Sequence, residues 1–164
     1  MYYYTCILIH QCLNLKSMKT STGESPLENT REVVISVKPP YANLLVDGIK
    51  TIELRRKFPA DIATGTRCYI YASAPIQRVI GEVKIAKVEK LPLRKLWKRA
   101  ASHAMISWTD FCDYFAGLEV GYGINMDSYL RYDHAKTLAE LDQPISRPPQ
   151  SFCYLRANPT SLTL

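Results

Sequence analysis

Histidine is scarce in this chain: His10, His103 and His134 are the three among 164 residues. They are scattered, with no H-E-x-x-H and no other paired metal spacing. The five cysteines, Cys6, Cys12, Cys68, Cys112 and Cys153, are odd in number and form no C-x-x-C. Such a pattern is neither a disulfide framework nor a zinc site. No metal and no cofactor is therefore expected. Free thiols fit a reducing compartment, so a cytoplasmic location is the expectation. No stretch reaches the roughly 18 apolar residues of a membrane span, and no membrane partner is expected. The opening Met1 to Leu15 is apolar and tyrosine-rich, but it lacks the basic flank and small-residue cleavage site of a secretory signal. There is no internal repeat. Gly117-x-x-x-Gly121-x-Gly123 follows an expected helix and is not G-x-G-x-x-G, so a dinucleotide loop is excluded. Ser73 and Ser151 have no discernible His/Asp partner set, and Cys112 and Cys153 read as core residues.

What remains is an ordinary globular composition. Apolar residues make up 47% and charged residues 22%, and about 100–200 residues is the usual size of one domain. The net charge is +6, with an isoelectric point near 9.1. A basic balance favours polyanionic partners, but +6 alone does not decide for nucleic acid. Residues 1–30 read as a flexible leader, 31–158 as the domain and 159–164 as a tail. Composition changes sharply at Met18, which suggests that Met18 is the natural start and that residues 1–17 are not native. Native protein found by mass spectrometry to begin at Tyr2 would contradict this.

The ordered pattern begins with the β-branched run Val33-Val34-Ile35-Ser36-Val37, a strand. Pro40 suits the first turn of a helix. Tyr41, Leu44 and Leu45 then share one helical face, and Gly48 stops the helix. A second strand is expected from Thr51 to Lys57 and a loop from Pro59 to Gly65. Arg67 to Ser73 alternates, with Cys68, Ile70 and Ala72 on one face and Arg67, Tyr69, Tyr71 and Ser73 on the other. Ala74-Pro75 turns the chain into a long strand, Val79 to Glu89. Its apolar phase changes near Ala86, which predicts a bulge or bend. Leu93, Leu96, Trp97 and Ala100 form the stripe of one helix. Ser107 caps another, with Asp110 in its first turn, Phe111, Tyr114 and Phe115 on its apolar side and Gly117 as its stop. Tyr122 to Met126 begins a further strand, Thr137 to Leu141 makes a helical turn, and Ser151 to Leu155 closes the sheet. Several strands interrupted by short helices predict an α+β fold with a small, curved or barrel-like sheet.

Chemistry is concentrated in Gly48-x-Lys50-x-x-Glu53-x-Arg55. Strand periodicity puts Thr51, Glu53 and Arg55 on one face and Ile52 and Leu54 on the other. Lys50 is out of phase and joins Glu53 only if the turn after Gly48 redirects it. Once joined, the three offer a guanidinium fork for phosphate or carboxylate, an acceptor for a base amino or ribose hydroxyl, and a point charge. Lys50 can also serve as nucleophile or base if its pKa is depressed. The bland alternative is an exposed strand face bearing a Glu–Arg pair of little energetic worth.

The flanking residues resemble the ASCH domain family of the PUA-like superfamily. The resemblance rests on Ile35-Ser36-Val37-Lys38-Pro39-Pro40-Tyr41-Ala42, the Gly48 to Arg55 element, Tyr69-x-Tyr71-Ala72-Ser73, Gly81-Glu82-Val83, Gly121-Tyr122-Gly123-Ile124 and Pro149-Gln150-Ser151-Phe152. It spans almost all of residues 33–157. It implies a small PUA-like β-barrel with peripheral short helices, a cleft lined by the signature, and RNA or a nucleotide or nucleoside as ligand. Some family members cleave RNA or remove the acetyl group from N4-acetylcytidine. The deacetylating members use a Lys, a Thr and a Glu. Lys50 matches their Lys, Glu53 stands where their Thr falls, with Thr51 nearby, and Ala104 stands near their Glu.

Two function classes follow. In the first the domain binds RNA or a modified nucleotide, with a possible regulatory role. Lys38, Lys50 and Arg55 hold phosphate, Glu53 reads a donor, Tyr71 stacks on a base, and Tyr41 and Ser73 complete the cleft. In the second it is a hydrolase of a modified nucleoside or of RNA, with Lys50, Thr51 and Glu53 as the catalytic candidates. Tyr41, Tyr69 and Tyr122 are further stacking candidates. The basic run Lys87, Lys90, Arg94, Lys95, Lys98 and Arg99 either tracks a phosphate backbone, binds a protein partner of unknown identity, or is a solvated face.

Overall fold

A computed structural model describes residues 31–155. The leader, the Met18 expectation, residues 156–158 of the expected domain and the tail lie outside the described residues. Within them the order is β1 (Val33–Val37), α1 (Pro39–Val46), β2 (Ile52–Arg55), β3 (Thr66–Ala72), β4 (Arg78–Pro92), α2 (Leu93–Ala100), α3 (Trp108–Tyr114), β5 (Val120–Lys136), a single 3-10 turn (Leu138–Glu140) and β6 (Phe152–Tyr154).

The six strands form one sheet in the order β2-β5-β4-β3-β1-β6. The β1–β3 pair is parallel, as a crossover requires, and the other pairs are antiparallel. The β4–β5 ribbon is the longest, and its register shifts at three places, including Ile85/Lys87. Each shift leaves extra residues on one strand, three on β5 at the first and one at each of the other two, which bends the ribbon and increases its twist. This is the expected bend near Ala86. The curl makes a half-barrel with a seam between β2 and the β1/β6 edge, where no backbone ladder runs. Gly81 lies close against β5: a Cβ there would sit 2.3 Å from the Leu130 carbonyl oxygen.

Three apolar clusters hold the fold. Ile35, Leu45, Ile70, Val83 and Ile124 join α1 to one face of the sheet. Tyr69, Tyr71, Val79, Leu138 and Leu155 cover the opposite face. Ile52, Leu54, Leu96, Phe111 and Phe115 pack α2 and α3 against β2. The alternation therefore holds from Cys68 to Ala72, with both faces buried, and ends with β3 before Ser73.

Two elements depart from expectation. Strand β2 is shorter than expected at both ends; at its start the Thr51 and Ile52 amides both donate to the His103 carbonyl in the α2–α3 loop, at 3.0 and 3.2 Å. Strand β5 runs on through Lys136, ten residues past Met126. Its second half is polar and largely exposed, so it carries no apolar alternation. Cys112 is exposed rather than core, whereas Cys153 packs against the second cluster.

Candidate functional site

The site begins with the stop of α1. Gly48 adopts φ +70°, a region glycine enters without steric cost. The chain then folds back so that both the Ile49 and Lys50 amides donate to the Leu44 carbonyl, at 3.0 and 2.9 Å. This turn supplies the redirection that strand phase alone denies to Lys50. Its ammonium reaches the Ala104 carbonyl at 2.5 Å and Glu53 Oε2 at 3.4 Å. The ring of Tyr41 lies 5.4 Å away.

Strand phase does the rest. Ile52 and Leu54 enter the α2–α3 cluster, so Glu53 and Arg55 face the seam. Glu53 Oε1 lies 3.0 Å from Arg55 Nη2. The same Nη2 donates to the Ser36 carbonyl at 2.9 Å, and Nη1 donates to the Ser151 carbonyl and hydroxyl at 3.3 and 3.2 Å. Arg55 thus ties β2 to the opposite edge across the gap that no ladder closes. Its Nε is buried and has no hydrogen-bond partner among the described residues.

Lys50, Glu53 and Arg55 are 3%, 7% and 6% exposed, which excludes the solvated strand face. Desolvation of a buried ion group consumes most of what its pairing returns. Stability alone is therefore a weak reason for three charges to sit here. The Lys50 ammonium is pushed below the usual lysine range, chiefly by burial and against the opposing pull of Glu53. The neighbouring Cys68 thiol is pushed up to about 12 by burial, so it stays protonated and is no nucleophile.

The lowered Lys50 pKa has a definite sign in folding. In the window between that lowered native value and 10.5, the unfolded chain holds the proton more tightly. The Lys50 contribution to stability is present above 10.5 and is lost as pH falls through the native pKa. Urea melts of wild type and Lys50→Met should therefore diverge in slope across that window, with wild type gaining more as pH rises. Parallel curves would contradict the buried placement.

These three residues form one wall of a cleft of about 1060 Å³. Lys38, Tyr41 and Ser73 also line it. Tyr71 does not: it is buried in the second cluster on the other face of the sheet, where no base can stack on it. Tyr69 is buried there too, and Tyr122 packs against the first cluster beneath the Lys90 ammonium. Thr51 also leaves the cleft, its hydroxyl lying 3.2 Å from His103 Nδ1. Sequence reasoning missed the far wall: Ile106, Leu118 and the α3 residues Asp110, Asp113 and Tyr114. It also gave no role to Ser36, Gln150 and Ser151, or to the rim cations Arg56 and Lys57. The cleft is bipolar, with a basic β2 side facing an acidic edge of α3.

A half-barrel of six strands, with short helices around it and a charged cleft at its seam, defines a PUA-like domain. The chain belongs to the ASCH domain family, which it matches over residues 35–144. A curated relative, the ASCH domain-containing ribonuclease of Zymomonas mobilis, is 33% identical over 140 residues, covering 82% of this chain and 90% of that protein. The crystal structure of ASCH from Zymomonas mobilis superposes with a TM-score of 0.71 at 32% identity, covering 77% of this chain and 89% of that one. Large ribosomal subunit protein uL22 of Ureaplasma parvum serovar 3 is 24% identical over 143 residues, and the match spans 45% of its length.

Proposed function

We propose that this protein binds RNA in the seam cleft, with Lys50 and Arg55 presenting positive charge to a phosphate and Glu53 fixing both cations. The observation that carries the reading is the burial of all three groups in the wall of an open cleft. Its volume, about 1060 Å³, lies at the upper end of ligand pockets, which run to roughly 1,000 Å³, and leaves room for a nucleotide and its neighbour. An ammonium has three N–H groups, and two of those on Lys50 are directed to Ala104 and Glu53. The ammonium has no further hydrogen-bond partner among the described residues. Lys38, Arg56 and Lys57 at the rim suit flanking phosphates. The half-exposed Tyr41 replaces Tyr71 as the stacking residue, and Asp110 and Asp113 face the donor edge of a base.

A second reading, cleavage of the bound RNA, is favoured by the relative named as a ribonuclease. Here Lys50 and Arg55 would stabilise the charge that grows on the phosphoryl oxygens during displacement. Acetylcytidine hydrolysis has less support. Ala104 contributes only its carbonyl, Thr51 is turned away, and Glu53 is held between two cations.

The test is an anisotropy titration of labelled single-stranded RNA, followed by gel analysis of the same mixtures. Lys50→Ala should weaken binding by about 10- to 100-fold, the worth of a hydrogen bond to a charged group. Wild-type affinity should fall as salt rises. Equal affinity in wild type and Lys50→Ala removes the site. Binding without product at high protein concentration removes the cleavage reading alone.

A further inference from the structure

Helix α2 reads Leu-Arg-Lys-Leu-Trp-Lys-Arg-Ala, four cations and no acid. Arg99 is paired with Glu89 at 3.3 Å. Among the described residues, Arg94, Lys95 and Lys98 have no ion-pair partner. Arg94 lies three residues before Trp97 and four before Lys98, so these side chains are neighbours on the helix surface. Trp97 is half-buried, with its ring 5.0 Å from that of Trp108, which opens α3. Trp108 is 52% exposed despite being the largest apolar side chain type, and Met105 beside it is 45% exposed. Trp108 also stacks on Phe111 at 5.8 Å and 14°, so its indole plane is fixed rather than free to turn away. The loop from Ala104 to Ser107 joins this patch to the cleft: Ile106 lines the cleft while packing into the α2–α3 cluster.

A basic helix alone is a solvated face. An exposed, rigidly held indole beside unpaired cations is a different surface, because sequence-tolerant single-strand binding combines stacking on aromatics with cations that track phosphate. Protein interfaces instead are depleted in lysine at their core. We propose that Trp108, Arg94 and Lys98 form a second RNA subsite, which takes a base and flanking phosphates of the same single strand where it leaves the cleft over Met105 and Ile106. This rests on the RNA reading of the cleft. It adds that recognition extends beyond the nucleotides in the cleft and that the partner is single-stranded. A duplex would bury the base faces that Trp108 needs.

The experiment compares full-length protein binding to random-sequence single-stranded RNA of about 4 and about 16 nucleotides, lengths that span the site sizes of single-strand binders. Wild type should bind the longer RNA more tightly. Trp108→Ala should weaken the longer RNA about tenfold and leave the shorter one unchanged, as expected for loss of one stacked base. Trp108→Phe should restore most of the difference. Arg94→Gln/Lys98→Gln, a surface change with no packing cost, should lower the salt slope for the longer RNA by about 1.4, the share of two single-strand phosphate contacts. In a Trp97→Phe background, which leaves Trp108 as the sole tryptophan, the fluorescence should be quenched by the longer RNA only.

Lys50→Ala separates the two levels. If it weakens both lengths while the α2 and Trp108 variants bind like wild type, this inference fails and the cleft reading stands. If no RNA binds wild type, both fail. Equal wild-type affinity for the two lengths also overturns the subsite, as for a patch that takes a protein instead. So does a Trp108→Ala loss that is equal for both lengths, because that marks a structural role.

Discussion

Glu53→Ala is expected to destabilise the domain by about 3–5 kcal/mol, because it leaves two buried cations facing each other with nothing between them. Lys50 and Arg55 are each almost fully enclosed, and Glu53 is the carboxylate both of them contact. Backbone carbonyls at Ala104 and Ser36 would remain as acceptors, but they bring no compensating charge. For a domain of this size the loss corresponds to a fall in melting temperature on the order of 10 °C. Thermal melts followed by circular dichroism measure it directly. Glu53→Gln keeps the shape and loses the charge, so it should fall between alanine and wild type. A loss under about 1 kcal/mol for alanine would place the three groups in the class of solvated surface pairs. The converse substitution sharpens the point. Replacing a buried ionic set with apolar residues of similar volume is often neutral or stabilising, so the charges are retained here at some expense to folding.

Phe115→Ala should cost a similar amount, about 3–5 kcal/mol, for the cavity left by a buried aromatic. Phe115 is 1% exposed and sits 4.7 Å from Phe111 and 4.8 Å from Tyr114, ring to ring. Its ring is so close to β5 that a Cβ on Gly121 would meet it at 2.4 Å. Little room exists for the surroundings to collapse into the void. The consequence reaches the cleft, because this cluster seats α3 with Asp110, Asp113 and Tyr114, and also the loop whose Ala104 carbonyl holds Lys50. Amide exchange should therefore accelerate across residues 101–118 more than in β1 and β3, whose core is separate. Uniform acceleration would mean that the clusters unfold as one.

Local signals in the sequence carried most of the fold. Pro39 and Pro40 open α1, Gly48 ends it, and the Ser107 hydroxyl accepts from the Asp110 amide as a cap should. Each of these is a short-range rule with one dominant physical cause. The second half of β5 was not legible because Asp127, Arg131, Asp133 and His134 face water and carry no apolar period. Its strand character comes instead from pairing with β4. The site divides in the same way. Periodicity placed Glu53 and Arg55 on one face, and the Gly48 turn brought Lys50 to them. Tyr71 failed because alternation separates two faces without saying which one opens on a cleft. The second cluster covers its side of the sheet with Leu138, Leu141 and Leu155, residues remote in sequence. Asp110 and Asp113 were invisible as cleft residues for the same reason: helix phase shows which side is polar, not what that side confronts.

The seam between β2 and the β1/β6 edge has a further consequence for the chain's behaviour in a crowded solution. An uncovered sheet margin is a template on which other chains can add strands, and proteins blunt such margins with short strands and inward-pointing charges. Strand β2 is four residues long, and two of its side chains are the inward-pointing Glu53 and Arg55. The buried charges that line the cleft therefore also guard the sheet against self-association. Substitutions that neutralise them should therefore expose the sheet margin to strand addition and aggregation.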